Sequence, residues 1–124
     1  MIKTLTNREA AAMAEICERW MDDTGLLGYA CARNARRLAD ATVEYARIKN
    51  DAIREFGREV TDEGGRVTAY TVEPGSDGFA GFMQRVGPFA DLECDVEIMT
   101  VPASEVIGKM SGRDSLDIDW MIGE

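Results

Sequence analysis

Three arginines at the start of a predicted helix are the first residues whose type and spacing could do chemistry. Arg33, Arg36 and Arg37 are three and four positions apart, which places them on neighbouring surface of a helix. Free backbone amides and the helix dipole favour an anion in the first turns of a helix, and the guanidinium fork matches phosphate. The cluster therefore predicts a ligand site for a small anionic nucleotide. The alternative is a solvated face whose charges pair with Asp40, Glu44 or an acidic strand.

A second group of candidate residues is acidic and alternates strictly with apolar residues between residues 91 and 98. The acidic members are Asp91, Glu93, Asp95 and Glu97, and more acidic residues follow at Asp114, Asp117 and Asp119. The alternation predicts a half-buried strand with an acidic outer face. Regularly spaced carboxylates can imitate a phosphate backbone and bind a basic protein partner. They can also bind a hard cation, or form an ordinary polar face that discourages strand-to-strand aggregation.

Histidine is absent from the sequence, and this bears directly on which chemistry is available. Histidine is the usual general base near neutral pH and the commonest metal ligand, so Ser-His-Asp triads, Cys-His pairs and histidine zinc sites are excluded. The three cysteines, Cys17, Cys31 and Cys94, lack the spacing of a metal or disulfide motif and predict partly buried, reduced thiols. We therefore predict a protein without enzymatic activity, cofactor or metal.

Composition and charge constrain the class of protein further. The 124 residues are 45% hydrophobic and 30% charged, which is typical of a globular domain, and the net charge of -9 opposes direct binding to DNA or to an anionic membrane. Residues 1–6 lack the apolar core of a signal peptide, and no run is long and apolar enough to span a membrane. We predict one domain over residues 1–124, located in the cytoplasm.

The elements that would position these residues can be read from periodicity and capping signals. Residues 2–5 predict a short strand, and Thr6 with Glu9 forms a capping box for a first helix ending near Asp23. A long second helix is predicted over residues 29–56. Its apolar stripe fits packing against a second copy, and hence a homo-oligomer, and the alternative is that the helix packs on its own domain. Strands over residues 67–72 and 92–101 and a third helix after Ser76 complete an α+β fold. In this fold an antiparallel helical hairpin packs with a small antiparallel sheet.

The order of these features resembles a family of short proteins encoded by tailed phages and prophages. The resemblance lies in the run YACARNARRL at residues 29–38, the helix stop IREFG at residues 53–57 and the turn DEG at residues 62–64. It continues in the strand VEI at residues 96–98 and the apolar tail WMI at residues 120–122. The resemblance implies an accessory protein in the cytosol of a host cell, acting on host defences or in virion assembly.

Together these features predict a binding protein that antagonises a host defence system. It would do so by an acidic protein-binding face or by sequestering a small anionic nucleotide signal. The alternative is a virion or tail-assembly accessory protein that acts through helix-mediated oligomerisation.

Overall fold

The chain folds as an α+β protein, as predicted, and its described residues form five helices and two separate two-stranded antiparallel sheets. The computed structural model describes residues 1–123. In chain order the elements are β1 (Ile2–Thr6), α1 (Asn7–Glu18), α2 (Leu26–Ala41), α3 (Val43–Phe56), β2 (Arg58–Thr61), β3 (Val67–Thr71), α4 (Phe79–Ala90), β4 (Glu93–Glu97) and α5 (Gly112–Asp117). Short 3-10 turns lie at Ala103–Glu105 and Asp119–Met121.

The elements group into two compact units. The first unit combines Met1–Thr42 with the chain from Glu93 onward, and the second is the continuous segment Val43–Leu92. The prediction of a single domain over residues 1–124 stays a prediction.

The core of the first unit is formed where α1 and α2 pack on each other and on β1 and β4. The capping box is confirmed, because the Glu9 N–H donates to Thr6 Oγ1 over 3.1 Å and the Thr6 N–H donates to Glu9 Oε1 over 3.1 Å. β1 pairs with β4 in an antiparallel register that runs from Ile2 opposite Glu97 to Thr6 opposite Glu93. The largest fully buried side chains of this core are Leu27, Leu38, Ile98, Val101, Ile118 and Met121.

The predicted single helix over residues 29–56 is corrected by the structure, in which a helix ends at Ala41 and another begins at Val43. The interruption is at Thr42, whose backbone has φ -113° and ψ 16°. The Thr42 hydroxyl donates to the Leu38 carbonyl oxygen over 2.8 Å and so competes with the helix for that acceptor. The continuous apolar stripe that favoured a helix-mediated oligomer is therefore interrupted, and the homo-oligomer stays a prediction.

The second unit contains a hairpin that the sequence pattern did not indicate. β2 pairs with β3, and the turn between them is held by Asp62 Oδ1, which accepts from the Gly64 and Arg66 N–H groups over 2.9 Å each. The sequence predicts β3 but not β2, whose residues do not alternate between buried and exposed: only Val60 is half-buried, and the other three residues are exposed. A hairpin that buries neither face leaves no period-two signal in the sequence.

The predicted third helix is α4, and its glycines have a packing role. A Cβ on Gly81 would lie 2.5 Å from Phe56 Cε1, and a Cβ on Gly78 would lie 1.8 Å from the Phe56 carbonyl oxygen. The glycines that weaken the helix locally therefore allow α4 to approach the end of α3 closely. Arg85 of α4 completes this contact, since it pairs with Glu55 over 2.8 Å and lies over the Phe56 ring.

Candidate functional site

The acidic strand is present and has the predicted two faces. Glu93, Asp95 and Glu97 are exposed along β4, whereas Val96 is buried and Cys94 is half-buried. We call these three carboxylates the acidic row. Asp91 does not belong to it, because Asp91 caps the C-terminus of α4 in the second unit. The predicted row of four is therefore corrected to a row of three.

The neighbours of the acidic row on the same face of the sheet come from β1. The register places Ile2, Thr4 and Thr6 opposite Glu97, Asp95 and Glu93. Thr4 donates its hydroxyl proton to Asp95 Oδ1 over 2.6 Å, and the Met1 ammonium group lies 2.9 Å from Glu97 Oε1. No side chain of β1 on this face is cationic: Thr4 gives the row a hydrogen bond, Thr6 bonds to Glu9 instead, and Ile2 is exposed.

Side chains of α2 bond to the end of β4 and to the chain that follows it. The Asn34 amide donates to the Met99 carbonyl oxygen over 2.9 Å and accepts from the Met99 N–H over 2.8 Å. Its side chain thus bonds to the chain after β4 as a neighbouring strand would. Arg37 adds a longer contact of 3.4 Å from Nη1 to the Glu97 carbonyl oxygen. Asn34 is fully buried. It was not identified as a functional residue from the sequence. Its position as a lone amide among the apolar residues Ala30, Cys31, Ala35 and Leu38 could have indicated a buried hydrogen-bonding role.

The three arginines do not form a common pocket. Arg33 lies over the Tyr29 ring, 5.0 Å from its centroid, and Arg37 contacts the backbone of β4. Arg36 is exposed, and within the described residues it has no hydrogen bond or ion pair. The alternative prediction, in which the charges of the cluster pair with Asp40, Glu44 or the acidic strand, stays a prediction: the contact of Arg37 is with a backbone carbonyl oxygen of the strand and not with a carboxylate.

The N-terminus of α2 does not lie near the arginines, and its free amides already bind the carboxylate of Asp23. α2 begins at Leu26, so Arg33 is about two turns into the helix, beyond the free amides of the first turn. Asp23 occupies that position: its Oδ2 accepts from the Gly25 N–H over 3.0 Å and from the Gly28 N–H over 3.2 Å. Lys109 Nζ lies 3.0 Å from the same oxygen. The helix terminus thus gives no support to a nucleotide at the arginines.

These contacts shift the titration of Asp23. The hydrogen bond from Lys109, followed by the backbone amides of Gly25 and Gly28, lowers the pKa of the Asp23 carboxyl below its ordinary value. A carboxyl whose pKa is lower in the folded than in the unfolded chain stabilises the fold above its unfolded pKa, which is about 3.9 for aspartate. That contribution is lost as the pH falls through the folded pKa.

Asp23→Asn should therefore be less stable than the wild type at neutral pH and equally stable in acid. The amide keeps the shape of the side chain but has no charge for Lys109 and the helix terminus. We expect the difference between the two urea midpoints to shrink as the pH is lowered from about 7 to about 3. Asp22→Asn removes the same charge from an exposed neighbour and should not reproduce this pattern. If Asp23→Asn were less stable than the wild type by the same amount at every pH, the charge of Asp23 would not be the source of the stabilisation.

The thiols lie in the protein interior rather than at a reactive surface. Cys17 and Cys31 are fully buried in the first unit, Cys94 is half-buried, and all three are free. A hydrogen bond with the Cys31 thiol, together with burial, raises the pKa of Cys17. The Cys31 thiol also lies 3.9 Å from Met121 Sδ. Of the three thiols predicted to be partly buried, Cys94 is half-buried and the other two are fully buried, and their reduced state stays a prediction.

The second unit contains a groove that sequence reasoning missed. It has a volume of about 570 Å³ and is lined by Asn50, Ile53, Arg54 and residues 67–70 of β3. Val67 and Tyr70 are among the exposed large hydrophobic residues of the chain. Nothing in the local sequence indicated it, because the groove depends on the unrecognised β2–β3 hairpin that places β3 beside α3.

Within residues 1–123, no three histidine, cysteine, aspartate or glutamate side chains are grouped so that they could hold a metal ion. None of the helices described is both long and apolar enough to cross a membrane. The chain matches no protein-family model, no curated protein and no solved structure.

Proposed function

We propose that this chain is a non-enzymatic binding protein that occupies a basic surface of a partner protein with its acidic row. The observation that carries the proposal is the exposure of Glu93, Asp95 and Glu97 on one face of a strand whose other face is buried. Successive members are two residues apart, or about 6.8 Å in an antiparallel strand. The result is a regular line of negative charge.

The row is well suited to binding because the strand that carries it is held on two sides. β1 pairs with it along one edge, and Asn34 fixes the chain after it at the other. A preorganised surface loses little conformational entropy when a partner binds. Neighbouring like charges also repel each other, and a partner that supplies lysine or arginine would relieve that repulsion.

The class of partner follows from charge and from the resemblance described above. A basic surface that accepts a line of negative charge is typical of nucleic-acid-binding proteins. Because the resemblance implies an accessory protein of a phage or prophage, we propose that the partner is such a component of a host defence system. The site of action would then be the host cytosol.

Of the two modes of action predicted from the sequence, the geometry supports the acidic face better than nucleotide sequestration. Arg33, Arg36 and Arg37 are exposed along an open helix, and two of them already have other contacts. The assembly alternative relied on one continuous helix, and the structure interrupts that helix at Thr42. Both alternatives stay predictions, and a melting-temperature screen with nucleotides would test the first of them.

The proposal predicts that neutralising the acidic row abolishes antagonism. In bacteria carrying a defence system that the wild-type protein suppresses, the triple variant Glu93→Gln, Asp95→Asn, Glu97→Gln should restore protection against phage, scored by plaque counts. The substitutions keep side-chain shape, and each changes an exposed residue, so the fold should persist.

A matched control removes the same charge elsewhere. Glu15→Gln, Glu18→Gln and Asp22→Asn change exposed residues of α1 and the segment after it, and this variant should still suppress the defence. Equal suppression by both triple variants would contradict a role for the acidic row. With the purified target, binding should also weaken as salt is raised, because exposed charges are screened.

A further inference from the structure

The outer edge of β1 has backbone groups that no other strand uses. Met1 and Ile98 exchange two hydrogen bonds, from the Ile98 N–H over 2.7 Å and from the Met1 amino group over 3.1 Å. In an antiparallel pair, hydrogen-bonded and non-hydrogen-bonded positions alternate. Lys3 and Leu5 therefore bond to β4, whereas the backbone groups of Ile2 and Thr4 point away from it.

In the two-stranded sheet of the first unit, β1 is an edge strand. On the β4 side, Asn34 of α2 bonds to Met99, just after the strand. Along β1, the Thr6 N–H is used by Glu9. For Ile2 and Thr4, no hydrogen bond of the outward backbone groups is found in the part of the chain that the structure describes. An unpaired edge of this kind is a template for an added strand.

The side chains next to this edge determine which kind of strand would bind to it. A third strand beside β1 would lie two strand spacings from β4, or about 9.6 Å. Lysine or arginine side chains of that strand would reach the acidic row over Thr4 and Thr6, which are small. Ile2, 69% exposed, offers an apolar contact at the end of the row.

A second copy of this chain fits the edge less well. If two β1 strands paired, each would face the other with Ile2, Thr4 and Thr6 on this side of the sheet, and neither would bring a cation to the row. The net charge of -9 on each copy also opposes association. Charge complementarity therefore favours an extended basic segment of another protein.

We propose that β1 accepts an extended, basic segment of the partner protein as a third strand, whose alternating lysine or arginine side chains pair with Glu93, Asp95 and Glu97. The inference rests on the proposed function and specifies how the partner is held. Backbone hydrogen bonds would fix the register, and the carboxylates would select the sequence.

The first test uses a synthetic peptide in which lysine and valine alternate. A twin peptide carries N-methyl groups on the residues whose N–H groups would face β1, so its charge is unchanged. Fluorescence anisotropy with the full chain should show the parent peptide binding and the twin binding about tenfold more weakly, since the twin cannot donate backbone hydrogen bonds to β1. Equal binding by both peptides would overturn strand addition while leaving a purely electrostatic acidic face intact.

The second test changes the protein. Thr4→Pro removes the outward N–H without removing a bond to β4, and proline is tolerated at such edge positions. Thr4→Val keeps the N–H, and both variants lose the hydroxyl contact with Asp95. We expect the parent peptide to bind Thr4→Pro about tenfold more weakly than Thr4→Val.

Hydrogen exchange and solution mass distinguish the remaining outcomes. The amides of Ile2 and Thr4 should exchange more slowly when the parent peptide is bound, a result that does not require the proline variant to fold. No binding of the parent peptide at low salt, or no added protection, would overturn the proposal. A dimer that Thr4→Pro dissociates would show that a second copy occupies the edge instead. Failure of the proposed function is a separate result, because it appears in the plaque assay with the acidic-row variant.

Discussion

Replacing Asn34 with leucine should lower the free energy of unfolding by about 2–4 kcal/mol. Asn34 is fully buried, and its amide satisfies both the N–H and the carbonyl of Met99. Leucine has a similar branched shape but is larger and has no polar atoms, so both backbone groups would lose their partner. A buried polar group left without a partner costs about 1–3 kcal/mol. Equilibrium urea unfolding, followed by circular dichroism, measures the change.

The matched control is Arg36→Leu, which places the same residue two positions along α2 on an exposed site. Exposed substitutions away from special features usually change stability by less than about 0.5 kcal/mol. If Asn34→Leu were as stable as Arg36→Leu, the amide would not be needed to hold the chain after β4. Our account of how the acidic row is held would then be incorrect.

Gly28→Ala should destabilise the protein by about 1–3 kcal/mol, although alanine is the better helix former. A Cβ on Gly28 would lie 1.8 Å from the Asp23 carbonyl oxygen and 2.6 Å from its carbonyl carbon, so the backbone has to move. Such a movement would also break the hydrogen bonds that hold Asp23 at the start of α2. The gain in helix propensity, about 1 kcal/mol, is smaller than the cost of a backbone overlap.

Gly112→Ala is the matched control in the same unit. Gly112 is the first residue of α5, and a Cβ there would meet nothing within 4 Å. The substitution should leave stability unchanged or raise it by up to about 1 kcal/mol. Urea unfolding of the two variants side by side gives the comparison. Similar stabilities would show that α2 can begin without close approach to Asp23.

The parts of the fold that depend on neighbouring residues could be predicted from the sequence. The Thr6–Glu9 capping box and the alternation along β4 are local patterns, and both are present. Thr42 shows where a local pattern misleads. The apolar stripe continues through it, but the Thr42 hydroxyl bonds to the Leu38 carbonyl oxygen, and the helix is interrupted there.

The contacts that define the candidate site could not be predicted in this way because they join distant parts of the chain. Asn34 and Met99 are 65 residues apart, and Asp23 and Lys109 are 86 residues apart. A single sequence carries no signal for such pairs. The same reason explains why Arg33, Arg36 and Arg37 looked like a site: the start of α2 is set by Asp23 and a tight approach at Gly28, not by the arginines themselves.

The division of the chain has a consequence for the order in which it folds during synthesis. The second unit is one continuous segment, so all its contacts can form once that segment has been made. The first unit is discontinuous: Thr4 and Asp95, which meet across the sheet, are 91 residues apart. Contacts of such long range form slowly and late. β1 therefore stays unpaired until β4 has been synthesised. The surface that we assign to partner binding consequently forms only in the last stage of folding.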